Sequence, residues 1–119
     1  MNFRKPNLFS LIKIDPNAAS LPVLTVALDD LFKWEGLDRL DYLKIDVEGA
    51  EQEVLMGAER VIGKYRPIMQ IETSSVDIPI RIANYSMFHA PHSLNKVCVP
   101  NEHSKIEVPE QLGWARVTI

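Results

Sequence analysis

The chain has 119 residues, 46% of them hydrophobic, which gives room for one compact domain with a real core and not for two. A net charge of −3 and a pI near 5.6 carry no electrostatic footprint for nucleic acid. The single cysteine, Cys98, excludes an internal disulfide framework and a multi-cysteine zinc site, and no apolar run reaches membrane-spanning length. The expectation is a soluble, cytoplasmic protein with no membrane or nucleic-acid partner.

Residues 1–21 form a weakly organised leading segment, in which "NLFSLIKI" is strand-like and "DPNAAS" is a turn. In "PVLTVALDDLF", Leu24, Val26 and Leu28 alternate with Thr25 and Ala27, which predicts a short strand. "LDDLFKWEG" predicts a brief helix capped by Asp29 or Asp30 and ended by Gly36. In "LDYLKIDV" the nearly continuous run of Tyr42, Leu43, Ile45 and Val47 predicts a strand buried on both faces, interrupted by Lys44. Lys44 is expected to snorkel or to pair with an acid such as Glu72.

From Ala50 the period changes. Val54, Leu55, Ala58, Val61, Ile62 and Tyr65 make one apolar face of a helix, with Glu51, Glu53, Glu59, Arg60 and Lys64 solvated. Pro67 stops it, and "PIMQIET" is the next strand. Residues 22–73 therefore form a β-α-β core with a right-handed crossover. Residues 74–119 are β-rich: "NYSMFHA" and "NKVCVP" flank the turn-rich "PHSLN", and "WARVTI" is a final strand. The fold class is α/β, with one βαβ unit and a C-terminal antiparallel hairpin portion.

Chemistry concentrates in "LKIDVEGAE". Asp46 ends a strand, Glu48 and Glu51 begin the helix, and Gly49 permits close approach of backbone. Ligands of open α/β sheets bind at the carboxyl ends of strands. For Glu51 the helix dipole is reason enough for an acid; a cap does not account for Asp46.

The ordered series "TVALDDL", "LDYLKIDVEGAEQEVLMGAERVI" and "RPIMQIE" resembles the C-terminal half of the FkbM family of S-adenosylmethionine-dependent methyltransferases. "NYSMFHAPHSLNKVCVP" is similar, more loosely, to that family's closing hairpin. The resemblance implies a partial Rossmann-like (class I methyltransferase) sheet, with "LDYLKID" as its fourth strand and "PIMQIE" as its fifth. Asp46, Glu48 and Glu72 would be the catalytic carboxylates, as general base on an acceptor hydroxyl or as holders of a divalent ion that activates it. Asp46 and Gly49 would face the S-adenosylmethionine cofactor. The implied activity is O-methyl transfer to a sugar or natural-product hydroxyl.

The donor-binding half of such an enzyme opens with a glycine-rich loop. The five glycines here form none, and only about 20 residues precede "VLTVALDD". Three readings follow: a truncated methyltransferase-like chain without catalysis of its own, a chain completed by a partner that supplies the missing half, and a non-catalytic binding or interaction module. An exposed half-sheet favours a homodimer. Among the remaining residues, His89, His92 and His103 are surface-loop histidines before they are a metal site. Trp34 and Trp114 pack at the core edge or at a dimer contact, and Cys98 is a buried small hydrophobe.

Overall fold

The structure of the chain is a computed structural model that describes residues 22, 24–73 and 82–117. The elements run α1 (Leu28–Glu35), β1 (Tyr42–Ile45), α2 (Glu51–Met56), α3 (Glu59–Tyr65), β2 (Ile68–Glu72), β3 (Tyr85–His89), β4 (Asn95–Pro100), α4 (Val108–Gln111) and β5 (Ala115–Arg116). One five-stranded sheet has the order β1-β2-β4-β3-β5. β1 and β2 are parallel, with Tyr42 opposite Ile68 and Ile45 opposite Ile71. β4 is antiparallel to both β2 and β3. It follows that β1, β2 and β3 run the same way in chain order, with β4 wedged between the last two. No described helix is long and apolar enough to cross a membrane.

The strand–helix–strand unit and the closing hairpin stand where the hydrophobic pattern puts them. Alternation in β2 turns Met69 and Ile71 into the core, both fully buried, and leaves Gln70 and Glu72 half-buried on the other face. Ile45, Met87 and Cys98 lie on the same face as Met69 and Ile71 and meet Phe32, Ala58, Val61 and Ile62 from the helices. The Phe32 and Tyr65 rings, 5.7 Å apart, join α1 to α3. Cys98 is buried as expected, and burial pushes its thiol up to about 12, which makes it a poor nucleophile.

Several expectations need correction. The strand over residues 24–28 is absent: residues 24–27 have no regular structure, and α1 begins at Leu28. Leu24 and Val26 are exposed, so their alternation has no face to bury. β1 is not buried on both faces. Ile45 is buried, but Tyr42 is 52% exposed and Lys44 is exposed, because β1 is the edge strand among the described residues. Lys44 sits opposite Gln70 and makes no ion pair with Glu72.

The long helix is two. Gly57 and Ala58 leave helical geometry, and the apolar face continues across the break. The reason lies in α1. The Gly57 carbonyl accepts the Asp29 N–H at 2.8 Å, and a Cβ on Gly57 would stand 3.2 Å from the Ala27 Cβ. The start of α1 is seated against the break.

Asp29 does not cap its own helix. Its carboxylate accepts the N–H groups of Arg60 and Val61, at 3.0 and 2.9 Å, and so caps α3 from across the fold. "NLFSLIKI" and "DPNAAS" lie outside the described residues, as does the end of "WARVTI", whose strand is only Ala115–Arg116. Helix α4 has no counterpart in the sequence reading.

Candidate functional site

The β1–α2 connection is a tight turn. Glu48 takes φ +43° and Gly49 φ +103°. The second value is open to glycine and strained for other residues, and nothing lies within 4 Å of where a Gly49 Cβ would stand. Glu51 was expected in solvent. It is instead 8% exposed, and its Oε1 accepts the Gly49 N–H at 3.1 Å. The first acid of α2 thus fixes the turn rather than facing water.

This turn, the end of β2 and the end of the β3–β4 connection surround a cavity of about 420 Å³, lined by Asp46, Glu48, Gly49, Glu51, Glu72, Thr73 and Leu94. Its size falls within the range of small-molecule sites. All four of the residues singled out from the sequence, Asp46, Glu48, Gly49 and Glu72, are here. Asp46 follows β1 rather than ending it and is exposed; Glu72 is the last residue of β2. Register explains the convergence. Ile45 and Ile71 are partners in parallel strands, so Asp46 and Glu72 leave the sheet at the same end. Among the described residues, Asp46, Glu48 and Glu72 take no side-chain hydrogen bond.

Thr73 and Leu94 were not anticipated. They join the site because the Thr73 N–H donates to the Leu94 carbonyl at 3.2 Å, tying the end of β2 to the start of β4. That contact depends on β4 being inserted beside β2, which no local pattern announces.

The histidines do not meet. His89 Nε2 bonds the Ser93 carbonyl, and His103 Nδ1 accepts the Lys105 N–H. No group of three or more His, Cys, Asp or Glu side chains suited to a metal ion occurs among the described residues, the carboxylate rim included. Glu102 pairs with Arg66 at 2.6 Å.

The opposite end of the sheet is densely bonded. Arg66, in left-handed conformation after α3, donates through Nε and Nη2 to both carboxylate oxygens of Glu102. Its other N–H groups reach the carbonyls of Ala83 and Asn84, and its guanidinium lies 4.4 Å from the Tyr85 ring centre. The Arg66 bonds hold the Glu102 carboxyl down to about 2. Tyr85 donates to the Pro67 carbonyl at 2.6 Å, and burial pushes its phenol up to about 12.

No curated protein and no solved structure matches the chain. The family model described as the methyltransferase FkbM domain matches residues 2–93, a span that holds every residue of the cavity lining except Leu94. With that match over most of its length, the chain belongs to the FkbM methyltransferase family.

Proposed function

We propose that the cavity at the ends of β1 and β2 is the acceptor side of an FkbM-type O-methyltransferase site, with S-adenosylmethionine as donor and a sugar or natural-product hydroxyl as acceptor. The observation that carries this reading is the convergence of Asp46, Glu48 and Glu72 on one cavity at strand carboxyl ends, in a chain of a methyltransferase family. On this reading β1, β2 and β3 correspond to strands 4, 5 and 6 of a Rossmann-like sheet with β4 inserted between the last two, and β1, the edge strand among the described residues, stands where strand 1 would pair.

When bound, the donor supplies an electrophilic methyl group on a positive sulfonium. The residues present fit it in part. Carboxylates suit a cationic centre, and Gly49 leaves its backbone open to approach. The chain's own work is to orient the acceptor hydroxyl and take its proton. Asp46 and Glu72, free of other side-chain bonds, are the candidates for general base, with Glu48 shaping the rim.

A glycine-rich donor loop is not among the five glycines. On this reading a partner that carries such a loop supplies the donor side, and a second copy of this chain in a homodimer covers the edge of β1. That same lack favours the second reading, a non-catalytic binding module.

Calorimetric titration with S-adenosylmethionine and S-adenosylhomocysteine, with the particle mass taken on the same sample, separates them. Saturable micromolar binding by a dimer supports the methyltransferase reading. A folded chain that binds neither compound favours the module, and a purely monomeric mass rules out the homodimer.

A further inference from the structure

Residues 46–50 join β1 to α2, and all five are exposed, so packing does not fix them. Among the described residues, the segment makes one hydrogen bond that involves a side chain, from the Gly49 N–H to Glu51 Oε1 at 3.1 Å. The segment nonetheless has a demanding shape. Glu48 and Gly49 are successive residues of positive φ, +43° and +103°. A non-glycine residue in that region is costly and persists only where something around it imposes the shape.

That something is Glu51. It is the first buried residue after Ile45, 8% exposed, and it opens α2. Its carboxylate reaches back two positions to the turn, while Asp46, Glu48 and Gly49 line the same cavity that Glu51 lines. Two roles are open to an acid at a helix start. A partner for the helix dipole needs negative charge. A clasp on the turn needs only an acceptor oxygen in the right place, which glutamine also carries. The observed bond is of the second kind.

We infer that Glu51 is the positioning residue of this cavity: by accepting the Gly49 N–H it sets where Asp46 and Glu48 stand, and it does so through its oxygen rather than its charge. Its effect on a ligand rests on the proposed reading of the cavity; the placement of the turn does not.

Two measurements on the full chain test it, each made on the parent, on Glu51→Met and on Glu51→Gln. Methionine keeps the length and removes the acceptor; glutamine keeps an oxygen and removes the charge. Glu51→Ala replaces the first variant if methionine prevents folding. The first measurement needs no ligand. By backbone amide spectroscopy, Gly49 in Glu51→Met exchanges its hydrogen about five-fold faster than in the parent, and the Asp46 and Glu48 amide resonances move. Glu51→Gln restores both. Resonances of residues 46–49 that stay in place in Glu51→Met, or that move as far in Glu51→Gln, overturn the inference.

The second is calorimetric titration with S-adenosylmethionine. Glu51→Met binds at least about five-fold more weakly than the parent, and Glu51→Gln binds within about two-fold of it. Equal donor binding by Glu51→Met and the parent leaves the methyltransferase reading standing and this one refuted. Donor binding by none of the three refutes the methyltransferase reading, and the amide measurement then decides this one.

Discussion

At the amino end of β2, Arg66 holds Glu102, the carbonyls of Ala83 and Asn84, and the Tyr85 ring at once. At the carboxyl end of the same strand, Glu72 takes no side-chain hydrogen bond or ion pair among the described residues, and neither do Asp46 and Glu48 beside it. One end pairs a guanidinium with a carboxylate; the other gathers carboxylates, with no cation among the described lining residues. Paired charge at one end ties three connections together. Unpaired charge around an open cavity contributes nothing to that end's stability, and this is the signature of groups kept available for a ligand. The difference teaches where to look for stability and where to look for function.

The comparison breaks most easily at Arg66. Arg66→Ala removes four hydrogen bonds and a ring contact, and the expected loss is about 2–3 kcal/mol by denaturant unfolding. A loss below about 0.5 kcal/mol would mean that the clasp is ornamental. Asp29→Ala comes next. It frees two N–H groups at the start of α3 and lowers stability by about 1–2 kcal/mol, with Asp30→Ala as the silent control.

Acid sharpens the contrast. The Glu102 carboxyl, held down to about 2 by Arg66, sits below its ordinary value of 4.5. A carboxyl lowered in the folded state adds stability that is present above the unfolded value and lost as pH falls toward the folded one. Stability therefore declines between about pH 4.5 and 2, and Glu102→Gln flattens that decline when melting is followed across the range. The smallest effect belongs to the rim: Asp46→Asn and Glu72→Gln shift stability by no more than about 0.5 kcal/mol, because neither carboxylate has a side-chain partner among the described residues to lose.

Much of this was legible in the residues. The change of period at Ala50 and the stop at Pro67 delivered the strand–helix–strand unit; strand-end reasoning singled out Asp46 and Gly49, the family resemblance added Glu48 and Glu72, and all four line one cavity. What escaped were contacts between distant segments. Asp29 reads as a local cap because its neighbours are helical, but its carboxylate answers amides more than 30 positions away. The break at Gly57 is set by the packing of Ala27, not by helix propensity. Glu51 looks solvated on a helical wheel and is buried by its bond to the turn before it. Thr73 and Leu94 meet at the site only because β4 slots in beside β2.

The most direct test of the division is one calorimetric titration with S-adenosylmethionine, run on the unmodified chain and on the Asp46→Asn, Glu72→Gln double variant, with both melted in parallel. The account predicts donor binding by the first, at least about ten-fold weaker binding by the second, and melting temperatures within about 4 °C of each other. A double variant that melts far lower, or that binds the donor as well as the parent does, would contradict it.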